Sequence, residues 1–178
     1  MTSDAFRQFT AGGITGDNTL GVGEQFRLKL DNGYIDTGGK VGFGLRNSLG
    51  EDRFEFYFVG GESKYTLNIA DDVFTLHGFT SAGMSLQFTL TGADTFTLNI
   101  NYDKFSPLTE TFSGTLQGTP GSGIDGFRLF NSGAGNGGKN VFFNNVQVVP
   151  EPSSLMLLGA AALAVMQRPS RARGKTHL

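Results

Sequence analysis

Apolar residues recur at every second position along most of this chain, and that period leaves little choice of fold. Phe26, Leu28 and Leu30 alternate with polar neighbours, as do Val41, Phe43 and Leu45, then Phe54, Phe56 and Phe58. Tyr65, Leu67 and Ile69 follow, then Leu86, Phe88 and Leu90, then Phe96, Leu98 and Ile100, with Phe127 and Leu129 and with Val146 and Val148 closing the series. Successive side chains of a strand point to opposite faces, so strict alternation marks half-buried antiparallel strands. Turn-forming clusters separate the runs: Asp31-Asn32-Gly33, Asp36-Thr37-Gly38-Gly39, Gly60-Gly61, Ala70-Asp71-Asp72 and Thr91-Gly92-Ala93-Asp94. Strands spaced at roughly 8–12 residues predict a sandwich or barrel rather than βαβ units. Before Pro150 no window has helical periodicity. The expected body is all-β over residues 1–148, an antiparallel β-sandwich.

Its core is aromatic. The chain holds 17 phenylalanines and no tryptophan, and rings on inner faces opposite Thr, Asn, Lys and Glu suit two sheets packed about 10 Å apart. Four of the 14 basic residues lie at the C-terminal end, and all but one of the 16 acidic residues precede Pro150, so the body is net acidic. That argues against nucleic acid as a partner, whose binding rests on neutralised phosphates. With no cysteine, disulfides, thiol catalysis and thiolate metal sites are excluded.

Few residues offer chemistry. Gly121-Ser122-Gly123-Ile124-Asp125-Gly126 fits G-x-G-x-x-G in letters, but a strand follows it where a dinucleotide site needs a helix, so a turn is expected. Glu51, Asp52 and Glu55 crowd one strand, as a glycosidase pair would, yet an ion pair across a solvent face accounts for Glu55. Arg53, Glu55 and Tyr57 fall on one face opposite the phenylalanines and form the one possible ligand face, a ring for stacking on a sugar with polar groups beside it. Asp31, Asn32 and Asp36 supply oxygens without the spacing of a calcium loop, and Asx-turns explain them. His77 and His177 are too far apart to form a cluster. No metal, cofactor or catalytic residue is expected, and the loop from Ser132 to Gly138 reads as a connector.

The end of the chain differs in kind. After Val149 come Pro150, Glu151 and Pro152, then the uncharged run Leu155 to Met166, then Arg168, Arg171, Arg173 and Lys175. The run is short against the roughly 20 residues of a spanning helix. It is apolar on all sides, however, which suits lipid rather than one packed face, and the arginines can snorkel. Arg168, Arg171 and Arg173 then act as stop-transfer charges, and the run is expected to be a hydrophobic helix that enters the membrane. Proline resists both helix and sheet, which keeps Pro-Glu-Pro extended in front of it.

This order of parts over residues 149–178 resembles the PEP-CTERM sorting signal of exported bacterial proteins. Pro150, Glu151 and Pro152 match its motif, the apolar run its transmembrane part and the arginines its basic end. The resemblance implies an exosortase as partner and processing enzyme, and an envelope or extracellular-matrix location in a Gram-negative-type bacterium. The body, with its stretches from Leu30 to Ser48, Arg53 to Gly61 and Gly121 to Val148, is similar to the jelly-roll, concanavalin-like sandwiches found upstream of such signals. It implies a non-catalytic sandwich carried to the surface, or alternatively a carbohydrate-binding or carbohydrate-active domain with polysaccharide as partner. Met1 to Arg7 show no secretory leader, so a signal peptide and early strands are expected upstream of Met1.

Overall fold

The computed structural model describes residues 2–9, 18–70, 73–103, 108–135 and 141–150, with side chains described except at 73–77. Among them are eleven strands: β1 (Thr2–Gln8), β2 (Gln25–Asn32), β3 (Lys40–Arg46), β4 (Asp52–Val59), β5 (Lys64–Asn68), β6 (Val73–Gly78), β7 (Met84–Leu90), β8 (Thr95–Tyr102), β9 (Thr109–Thr115), β10 (Gly126–Ser132) and β11 (Val141–Val149). They form two antiparallel sheets, one of six strands ordered β1-β10-β3-β4-β5-β6 and one of five ordered β11-β2-β7-β8-β9. The all-β antiparallel sandwich is as the period predicts. The apolar run Leu155 to Met166, and with it the expected helix, lies outside the described residues.

The alternating residues make the core. Phe26, Phe43, Phe54, Phe56, Phe88, Phe96, Leu45, Leu67, Leu98 and Ile100 are all buried. Rings meet across the sheets: Phe54 of β4 packs edge-on against Phe88 at 5.0 Å and Phe96 at 5.1 Å. Such pairs add about 0.5–1.5 kcal/mol each beyond the area they bury. A polar tie crosses the core where the buried Tyr65 hydroxyl meets Asn32 Oδ1 at 2.7 Å and the Thr80 carbonyl at 3.2 Å. Asn32 is thus a core residue at the end of β2, and its side chain serves Tyr65.

Three strands do not stand out in the alternation. β1 is exposed along its whole length on both faces, so nothing selects apolar residues there; its seven register pairs with β10 define it. β9 presents Glu110, Phe112 and Gly114 on its inner side, a mixed set at the sheet margin. β6 is another edge strand, paired with β5 alone. The glycine-rich stretch from Gly121 to Gly126 is a turn leading into β10, with Gly121 at φ 73.

Candidate functional site

The outer face of the six-stranded sheet carries a compact group of charges and rings, and two glycines make room for it. Register places Arg128 of β10, Gly44 of β3 and Glu55 of β4 in one row, and Phe130, Gly42 and Tyr57 in the next. Because β3 has no side chains at those two positions, residues of β10 and β4 meet over its bare backbone. A Cβ at Gly42 would overlap the carbonyl oxygen of Phe56 and sit 2.7 Å from Tyr57 Cα, so the approach of the two strands depends on glycine there.

Arg128 uses this gap. One guanidinium nitrogen donates to Glu55 Oε1 at 2.7 Å and to Asp52 Oδ2 at 2.6 Å, while another reaches Asp4 of β1 at 3.4 Å. Arg46 donates to Asp52 Oδ1 at 2.7 Å, which is why its guanidinium is held above its ordinary pKa. Glu55 also receives Asn68 Nδ2 at 3.0 Å and Lys40 Nζ at 3.6 Å. Only 7% of Glu55 is exposed. Both Asp52 and Glu55 are therefore held by the same cation.

The rings are covered by the cations. Lys40 Nζ stands 3.6 Å above the centroid of Tyr57, and the Arg128 guanidinium 4.6 Å above that of Phe130. Cation–π attraction is worth about 0.5–2 kcal/mol, more as water is excluded. Burial first, and then the charge of Glu55, push the Tyr57 phenol above its ordinary pKa.

Of the expected ligand face, Glu55 and Tyr57 do share this surface, but Arg53 does not. The register slips between Leu45 and Arg46, so that Leu45 opposes Phe54 while Arg46 opposes Asp52. The extra residue is Arg53, and such a bulge re-aims a side chain. Arg53 is fully buried and reaches residues flanking the other sheet at its own end of the sandwich, where it pairs with Asp94 and donates to the Gln117 carbonyl at 2.7 Å. Asp94 in turn accepts the Gly121 amide at 2.9 Å. Nearby, Glu51 is engaged locally: Asn47 Nδ2 at 2.7 Å, then the Thr119 amide and hydroxyl, bond it and hold its carboxyl below the usual range. Sequence reasoning missed Lys40, Asn68, Phe130 and above all Arg128, which lies 73 positions from Glu55. The pair Gly42 and Gly44 inside an alternating run was the one available signal, since glycine within a strand marks close approach.

The other functional part begins where the sandwich stops. β11 pairs with β2 up to Val149, opposite Gln25. Pro150 is the first residue past the strand; Glu151, Pro152, Arg168, Arg171 and Arg173 lie outside the described residues.

Comparison with known proteins bears on both parts. Residues 148–172 match the PEP-CTERM protein-sorting motif. No curated protein matches the chain. Among solved structures, the chain is similar to Caenorhabditis elegans galectin LEC-6, at 15% identity and a TM-score of 0.54 over 83% of this chain and 89% of that one. It is also similar to the CBM2 module of the Lactobacillus casei BL23 phage J-1 evolved Dit, at 13% identity and a TM-score of 0.52 over 83% of this chain and 67% of that one. A glycosyl hydrolase family protein from Mycobacterium fortuitum aligns at 16% identity and a TM-score of 0.50, over 72% of this chain and 64% of that one. At these identities the likeness is one of fold. The chain thus carries a PEP-CTERM protein-sorting motif at residues 148–172, borne on an all-β sandwich of galectin-like and CBM-like fold.

Proposed function

We infer that this is an exported protein of the envelope or extracellular matrix of a Gram-negative-type bacterium, delivered by its C-terminal signal and processed there by an exosortase. The match at residues 148–172 carries this reading. Its position supports it, because the motif starts at the last residues of β11 and so leaves the sandwich intact on one side of any cut beyond Pro150. Pro150, Glu151 and Pro152 are the recognised residues, the apolar run is the membrane-inserted part, and Arg168, Arg171 and Arg173 keep the end in the cytoplasm. The sandwich is non-catalytic in this reading: the neighbouring outer-face carboxylates Asp52 and Glu55 are both locked onto Arg128. Mass spectrometry of the mature C-terminus, in cells with and without exosortase, tests the reading. A C-terminus still ending at Leu178 in exosortase-positive cells rejects it.

A carbohydrate-binding role is the second reading, favoured by the fold likeness to a galectin and a CBM2 module. Polysaccharide would then meet the face holding Glu55, Tyr57 and Asn68, and stacking on Tyr57 requires Lys40 to swing off its ring. A glycan array of the full chain and of Lys40→Ser decides this. Binding that strengthens in the variant and vanishes in Tyr57→Ala supports it, and no binding by either chain removes it.

A further inference from the structure

We propose that the chain pairs with a second copy of itself through the edge of β9, joining two five-stranded sheets into one. Sheet margins expose unpaired amides and carbonyls, and proteins guard them with charges, bulges or covering elements. Here β11 is broken by a register shift between Asn144 and Gln147, with Asn145 at φ 52. β1 carries Asp4 and Arg7. β9 runs in continuous register with β8 from Thr109 to Thr115, and its one charged residue, Glu110, is turned inward and accepts the Tyr102 hydroxyl at 2.6 Å.

The direction of the open backbone groups follows from the bonds at the two ends of the strand. The Tyr102 amide donates to the Leu108 carbonyl and the Leu116 amide to the Asp94 carbonyl. In an antiparallel ladder the bonded pairs alternate, so Glu110, Phe112 and Gly114 exchange bonds with β8 while Thr109, Thr111 and Ser113 turn theirs outward. Thr115 fits the same pattern, since its outward carbonyl is taken by the Ala70 amide at 3.2 Å. Among the described residues, no other backbone group bonds the outward side of β9. The hydroxyls do not compete for it: Thr109 donates to Asn101 at 2.6 Å, Thr111 to Asn99 at 2.7 Å, and Ser113 meets Thr97 at 3.0 Å.

Charge is what selects a second copy. A two-fold contact sets each residue against itself or its mirror, which penalises any edge bearing outward charges. With the axis at Thr111, Thr111 faces Thr111 and Thr109 faces Ser113, hydroxyl against hydroxyl, and about six backbone hydrogen bonds form. The flanking outer face is also uncharged, being Ser85, Gln87 and Thr89 on β7 and Thr97, Asn99 and Asn101 on β8. Glu110 falls opposite the other copy's Phe112, so the two carboxylates do not meet head on.

The absence of native cysteine makes the test direct. Full-length chain in mild detergent, carrying Thr111→Cys, is oxidised at micromolar concentration and run without reductant, with Thr97→Cys as the control one strand in. A covalent dimer from Thr111→Cys alone supports the proposal, because bonded cross-strand pairs sit at about 5.5 Å, within disulfide reach. Sedimentation of the unmodified chain should show a dimer, and Ser113→Lys, which keeps the fold by circular dichroism, should weaken it by at least about tenfold. Equal cross-linking of both cysteine variants, or a dimer indifferent to Ser113→Lys, overturns it. So does a monomer at tens of micromolar, including one whose Thr109, Thr111 and Ser113 amides resist hydrogen exchange, since another part of the chain would then occupy the edge.

Discussion

The Arg128 guanidinium spans the backbone of Gly44 to hold Glu55 at 2.7 Å, and the same nitrogen holds Asp52 at 2.6 Å. One cation thereby ties β10 to β4 across the strand between them. Arg128→Met should cost about 2–4 kcal/mol in urea denaturation, because it strands a carboxylate that is almost buried. Adding Glu55→Leu should restore part of that loss. A double variant as unstable as the sum of the singles would mean that the two residues do not interact.

The two glycines that admit Arg128 should respond differently to alanine. A Cβ at Gly42 would overlap the Phe56 carbonyl oxygen, whereas one at Gly44 meets the Asp52 carboxylate oxygen at 3.0 Å and the Phe54 carbonyl oxygen at 3.3 Å, contacts relieved by a much smaller shift. Thermal unfolding should show Gly42→Ala destabilised by about 2 kcal/mol or more and Gly44→Ala by less than about 1.

Arg53→Lys should not be conservative. The fork of Arg53 serves Asp94 and the Gln117 carbonyl at once, and a single ammonium cannot reproduce that geometry. We expect a loss of about 2–3 kcal/mol, measured by chemical denaturation.

Asp125 and Glu51 should give opposite pH signatures. Burial pushes the Asp125 carboxyl above its ordinary value, against the hydrogen bond from Ser48 that lowers it, and its Oδ1 has no hydrogen-bond partner among the described residues. A raised acid pKa penalises the fold once the group ionises, so the cost begins near the unfolded pKa and is complete above the folded one. Asp125→Asn should therefore stabilise the protein at neutral pH, with the gain fading as pH drops below that window. Glu51 is lowered by Asn47 and Thr119, so its contribution is full above the unfolded pKa and is lost as pH falls through the folded one. Glu51→Gln should accordingly matter most near neutrality. Melting temperatures of the three chains from pH 3 to pH 8 check both signs.

The strands whose inner residues are apolar were legible in the sequence, since Phe54, Phe56 and Phe58 announce their own face. β1 and β9 were not, because a strand with no buried stripe, or one mixing Glu110 with Phe112, leaves no period to read. Half of the candidate surface was visible in Glu55 and Tyr57. Its organising residue was hidden because Arg128 is brought to Glu55 by strand pairing, which local sequence does not encode. The misplaced Arg53 has a local cause: one inserted residue shifts the phase by one, and alternation assumes that no such shift occurs.

β11, which delivers the chain to Pro150, lies at the margin of its sheet, and among the described strands it is hydrogen-bonded to β2 alone. Any tether fastened beyond that proline loads the molecule through this single seam, from Val149 against Gln25 toward Val141 against Asn32. The irregularity at Asn144 and Gln147 divides the seam into two short grips. Under tension the carboxyl-side grip is loaded first, and Val146 and Val148, which pack against the core, pass that load to the aromatic interior.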